Sequence, residues 1–231
     1  MGAPVSSGPP PFQTGSQPAA PGGYTGHGNR LDAAELLALA PASFETDRCH
    51  LEQIRVDHAP MLREAVLTSH ADLGFIDWAQ GHWDLERARR FCRKSAAGVA
   101  QGGYLSYLAF ERLPTGLIGA RLLRGRYIGL LDLHSFDWRV PRCQIGYVGD
   151  SAQRGRGLMR EAALALMQAA HGWGLHRIEA WCDARNIRSQ HFADALGLAY
   201  EGRMRQCEID VAGLPCDQMV YARIATDPWP P

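Results

Sequence analysis

The sequence predicts an α/β or α+β domain, a sheet with helices on both faces. Three observations carry that prediction. The hydrophobic period switches between two and 3.6 along the chain, giving about seven strands and four helices. Between Gln144 and Cys182 a strand, a glycine-bearing polar loop, a long helix and a second strand follow one another. The 231 residues, 46% hydrophobic and 21% charged, suffice for one ordinary domain with a sizeable buried core.

The elements follow in order. Residues 1–43 read as a tail: the first 30 hold seven Gly and six Pro, too little apolar surface to repay ordering. A short helix over Leu31–Leu39, stopped by Pro41, lies within it. The folded unit is expected from 44 to 225. His50–Val56 alternates like a strand, Ala59–Ser69 is helical, and Asp84 is placed to cap a helix reaching Ala100. Tyr104–Phe110, Leu117–Leu123, Tyr127–Leu133 and Gln144–Val148 read as strands, the middle two as separate strands or one long bent one. On the helix from Leu158 to Trp173, the positions Leu158, Ala162, Leu166, Ala169 and Trp173 share one apolar face. His176–Cys182 is a strand and Ile187–Leu196 a short helix closed by Gly197. Ala199–Val211 and Gln218–Ile224 form a closing strand pair, and residues 226–231 read as a loose, Pro-rich end.

Charge and composition narrow the function. Lys+Arg and Asp+Glu are 24 each, against a protein built to grip nucleic acid or an anionic membrane. No apolar run reaches the length of a membrane span, and no secretory leader is legible. The six cysteines form no C-x-x-C pair and no His/Cys/Asp cluster has ligand spacing, so a reduced, cytoplasmic chain without a metal is expected.

The strongest local signal is Gln153-Arg154-Gly155-Arg156-Gly157-Leu158-Met159 between strand and long helix. Glycines let the backbone fold tightly, and the helix start adds unpaired N–H donors and the positive end of its dipole. Such a turn seats a phosphate or diphosphate, or it is a tight turn and nothing more. A nucleotide-hydrolase loop needs Lys then Ser or Thr after the last glycine, where Leu158 and Met159 stand. A dinucleotide fingerprint needs a third glycine near Arg160 and an earlier place in the domain.

Arg154-Gly155-Arg156-Gly157-Leu158-Met159 resembles the acyl-CoA signature R/Q-x-x-G-x-G/A of the GNAT acyltransferases. Phe44-Glu45-Thr46-Asp47-Arg48, Ile145-Gly146-Tyr147, Asn186-x-x-Ser189, Leu196–Gly202 and Asp217–Ile224, in that order, resemble its RimJ/RimL-type branch. Met159 departs from the usual Gly or Ala. The resemblance implies a mixed, mostly antiparallel seven-stranded sheet whose central strands splay apart. It also implies acetyl-CoA as cosubstrate, a primary amine as acceptor (a protein N-terminus first, a small molecule as alternative) and pairing as a homodimer. CoA would be held by Arg154, Gly155, Arg156, Gly157, Leu158 and Met159, its acyl carbonyl meeting the strand at Tyr147, Val148 and Gly149.

The same resemblance suggests the chemistry. Ser189 is the expected partner of the leaving thiolate and Asn186 an expected CoA contact, although both suit plain helix capping. Glu208 is the expected base, on one strand face with Met204 and Gln206 by the period of two, and Glu201 is its rival. Trp78, with Phe75 and Trp83, and Asp217 are expected near the acceptor or in structural roles. A non-catalytic CoA-binding module is the remaining alternative.

Overall fold

The computed structural model describes residues 32–98, 103–112 and 125–230. Its strands are β1 (Ser43–Glu45), β2 (Cys49–Gln53), β3 (Tyr104–Glu111), β4 (Tyr127–Asp137), β5 (Arg142–Gly149), β6 (Arg177–Asp183), β7 (Ala199–Ile209) and β8 (Pro215–Ile224). They form one sheet in the order β1-β2-β3-β4-β5-β6-β8-β7. Every neighbouring pair is antiparallel except β5 with β6. The helices are α1 (Ala33–Leu39), α2 (Ala59–Thr68), α3 (Leu85–Ala97), α4 (Leu158–Gly172) and α5 (Ile187–Ala195).

The sheet thus has eight strands in place of the seven expected. The addition is β1, three residues paired to β2 through Phe44↔Leu51 and too short to show a period. The expected strand at Leu117–Leu123 lies outside the described residues, as does the Gly/Pro-rich stretch through residue 31.

Both chain ends of the described fold are tied down. Asp32 caps α1 by accepting the N–H of Glu35 at 2.9 Å, Glu35 returns a bond to the Asp32 N–H at 3.1 Å, and Leu36 is fully buried. The loose end expected from 226 folds back instead. The Arg223 guanidinium donates to the carbonyls of Pro228 (3.0 Å) and Asp227 and lies 3.7 Å from the centre of the Trp229 ring. A buried cation on β8 therefore recruits the terminal segment as its cap.

Alternation along the strands sorts side chains onto two faces. Leu131, Leu133, Ile145 and Ile178 face α4, whose Leu166 is fully buried against them. Leu108, Leu130 and Phe110 face the other way, under α2 and α3, with Leu62 and Trp83. On that second face α2 and α3 stop short of the far strands, leaving Trp181 of β6 and Met204 of β7 at 38% and 42% exposure. No helix among the described residues is long and apolar enough to cross a membrane.

The positioning feature for the site is the β5–β6 contact. Parallel pairing runs through Arg142↔Arg177, Cys143↔Ile178 and Gln144↔Glu179 and then ends, though β5 continues to Gly149 and β6 to Asp183. The two strands part there.

Candidate active site

The loop after β5 turns on two glycines. Gly155 and Gly157 hold φ of 78° and 73°, the left-handed region that side chains resist. Gly157 is the N-cap of α4 and supplies no side chain, so the first-turn amides, Leu158 to Arg160, have no acceptor within the helix. That amide cluster and the positive end of the α4 dipole have the chemistry that favours an anion.

Beside it the parted strands enclose a cleft of about 460 Å³. Tyr147, Val148 and Gly149 of β5 form one wall, Asn186, Ser189 and Phe192 of α5 the other, and Arg154, Gly155, Gly157 and Met159 border the end next to α4. Asp150 gives its N–H to the Ile128 carbonyl of β4 at 2.8 Å. By alternation the amides of Tyr147 and Gly149 turn away from β4, toward the opening between β5 and β6.

Across the cleft, the Tyr147 hydroxyl stands 3.0 Å from Ser189 Oγ and donates to the Ser189 carbonyl at 3.2 Å. Burial pushes the Tyr147 phenol up to about 12, so it keeps its proton. Asn186 Oδ1 accepts the Ser189 N–H at 3.1 Å, capping α5 and fixing the serine on the cleft side. Cys182, near the same serine, has its thiol pushed up by burial and is a poor nucleophile.

At the mouth, Asp72 joins the two walls. Its carboxylate binds Arg188 of α5 at 2.7 Å and Arg154 of the loop. The Arg188 guanidinium, with that of Arg154, holds the Asp72 carboxyl below the usual range. The segment carrying Asp72 also brings Leu73 and Ile76 over the cleft and sets Phe75 5.9 Å from the Arg185 guanidinium.

Of the expected residues, Tyr147, Val148, Gly149, Arg154, Gly155, Gly157, Met159, Asn186 and Ser189 meet at the cleft. Five stand apart. Arg156 is taken up by Glu111 and Gln153. Leu158 is buried under the sheet. Trp78 packs 4.7 Å from Phe91 and 5.7 Å from Trp83 in the α2–α3 core. Asp217 pairs with Arg203 and accepts the Gln206 N–H at 2.8 Å, holding a bulge in β7 where Gln206 takes φ of 48°. That bulge interrupts the period of two: Met204 and Glu208 stand opposite Gln218 and Cys216, and Gln206 is not in their row. Glu208 itself is exposed on the outermost strand, its carboxylate on the N–H of Ile209. Glu201 is bound by Arg177. Arg188, inside Asn186-x-x-Ser189, and Phe192, one helical turn beyond it, also line the cleft, and neither belongs to the motif positions.

A model of the acetyltransferase (GNAT) domain matches residues 48–199, two thirds of this chain. The chain belongs to the GNAT acetyltransferase family. The central parallel pair that parts into a cleft is the open GNAT sheet that the motifs implied. The probable N-acetyltransferase YjcK of Bacillus subtilis (strain 168) is 37% identical over 84 residues, 36% of this chain. The chain spans 46% of that relative's length. Among solved structures, RimL, a ribosomal L7/L12 alpha-N-protein acetyltransferase in complex with coenzyme A, aligns with a TM-score of 0.67 at 25% identity. The match covers 80% of this chain and 96% of that one. The Microcin C7 self immunity acetyltransferase MccE, in complex with acetyl-CoA and AMP, aligns with a TM-score of 0.69 at 18% identity over 81% of this chain and 99% of that one, a likeness of fold. Among the described residues, no group of three His, Cys, Asp or Glu side chains is gathered as a metal site.

Proposed function

We propose that this chain is an acetyl-CoA-dependent N-acetyltransferase whose acceptor is a protein N-terminal amine, with transfer made directly in a ternary complex. The observation that carries the reading is the parting of β5 and β6 beside the glycine-started helix α4. The cleft suits CoA by its donor set: α4 amides with Arg154 and Arg188 at the mouth for phosphates, and Ile128, Met159 and Phe192 for an apolar arm.

The thioester supplies an acyl carbon already activated for attack. The Tyr147 or Gly149 amide, turned to the opening, is placed to donate to the oxyanion. The Ser189 hydroxyl, ordered by Tyr147, donates to sulfur as the C–S bond breaks. The unreactive Cys182 thiol favours transfer without an acyl-enzyme. An α-amino group, with its pKa of about 8, sheds its proton more readily than a lysine at about 10.4. The uncovered sheet face with Trp181 and Met204 offers an extended chain end room that a closed small-molecule pocket lacks. Glu208 shares that face but stands three strands from β5, roughly 14 Å at the usual strand spacing. It is better placed to meet the acceptor chain than its amine.

Mass spectrometry of peptides incubated with the chain and acetyl-CoA tests the reading. A gain of one acetyl group on N-terminal nitrogens is expected. Acetylation confined to small amines would replace the acceptor, and CoA binding without turnover on any amine would leave a binding module.

A further inference from the structure

One carboxylate in the sheet interior has no structural employment. Asp132 interrupts the apolar run of β4 between Leu131 and Leu133, both fully buried. It points to the face opposite α4, opposite Ser106 of β3 and Gly146 of β5. A Cβ on Gly146 would come within 2.7 Å of Asp132 Oδ1. The carboxylate therefore leans over bare β5 backbone, just past the last β5–β6 pair at Gln144↔Glu179 and one residue from Tyr147.

Its surroundings leave the charge uncompensated. The side chain keeps 18% of its surface open, and among the described residues its one ionic partner is His134 Nε2 at 3.6 Å. Ser106 and Tyr104 of β3 and Gln144 of β5 share the face without charge. Glu179 of β6, next along it, is bound by Arg142 and Arg177. A lone buried carboxylate is costly, so a neutral residue would serve the fold better. His134 leads outward: its Nδ1 lies 2.9 Å from Ser135 Oγ and its ring 5.7 Å from that of Tyr104, which is 42% exposed.

We propose that Asp132 is the base that takes a proton from the acceptor ammonium, and that His134 returns that proton to solvent. The inference rests on the acetyltransferase reading. The ammonium gives one proton to the Asp132 carboxylate, and the freed nitrogen forms its bond to the acyl carbon. The C–S bond breaks with its electron pair on sulfur, and the second nitrogen proton neutralises that sulfur by way of Ser189. Asp132 stands one strand from β5, against three for Glu208. Burial pushes the Asp132 carboxyl up to about 6, so near pH 7 it is ionised yet far more basic than an exposed aspartate.

Steady-state kinetics of the full chain with acetyl-CoA and a free N-terminal peptide tests this. For Asp132→Asn, kcat is expected to fall about 100-fold, with acetyl-CoA Kd within twofold and a urea midpoint no lower than wild type. The wild-type fall of kcat below pH about 6 should vanish in that variant, leaving dependence on the amine near pH 8. His134→Gln should lower kcat only a few-fold while moving that same limb. An Asp132→Asn enzyme with wild-type kcat, above all beside an inactive Glu208→Gln, would overturn the assignment alone. Loss of stability together with CoA binding would show a structural role and overturn it too. A wild-type chain that acetylates no amine would sink the underlying reading and this inference with it.

Discussion

The sheet is two unlike halves that meet where β5 and β6 part. From β2 to β5 it is covered on both faces, by α4 on one and by α2 and α3 on the other, and its central positions are buried. From β6 to β7 the face opposite α4 is uncovered, and Trp181, Met204 and Glu208 stand in the open. In a double-covered half, the backbone that carries the donor site is held in one geometry by packing from both faces. The half with an open face keeps room for a partner of variable length. A two-substrate site gains from that division: the donor needs one geometry, the acceptor needs access.

The contrast can be broken most directly through stability. Leu131→Ala, in the covered half, should cost about 3 kcal/mol, whereas Met204→Ala should stay within about 0.5 kcal/mol. Urea unfolding of both variants checks this, and equal losses would mean that the halves are not packed differently. Next in size is Ser189→Ala, expected to lower kcat about 100-fold, or about 2.7 kcal/mol, without weakening acetyl-CoA binding. A change in KM alone would instead make Ser189 a cap and a binding contact.

A smaller effect follows from linkage at Asp132. Its folded carboxyl titrates near 6, above the ordinary aspartate value of about 3.9, so the folded chain binds this proton more tightly than the unfolded one. Stability from this group is therefore lost as pH rises from about 4 to about 6. Asp132→Asn should be more stable than wild type by about 1–3 kcal/mol at pH 7.5, the gain fading below pH about 4. Smallest is Asp72→Asn, which frees Arg154 and Arg188 for phosphates. Acetyl-CoA Kd should tighten about threefold at low salt, and calorimetry at two ionic strengths would detect it.

How far the sequence reveals the site depends on how local each feature is. The glycine loop and Asn186-x-x-Ser189 are contiguous strings whose geometry is set by neighbouring residues, and the structure brings both to the cleft. Asp72 meets Arg154 from 82 residues away and has no local pattern to betray it. Arg156, in the motif by spacing, is drawn off by Glu111, 45 residues distant. The bulge at Gln206 interrupts the period of two along the Glu208 row, and strand order, which alternation cannot supply, sets Glu208 at the rim. Asp132 belongs to no motif in the sequence; its pairing with Gly146 gives it a direction.

The Arg223 contacts carry a practical consequence for anyone trimming this gene product. The guanidinium is 1% exposed, and three of its hydrogen bonds end on the carbonyls of Gly197, Asp227 and Pro228. Cutting after Ala225 would strip away two of those acceptors and the Trp229 ring, stranding a cation inside an oily wall. Affinity tags are better attached at the other terminus, and the six apparently dispensable residues from Thr226 to Pro231 are better kept.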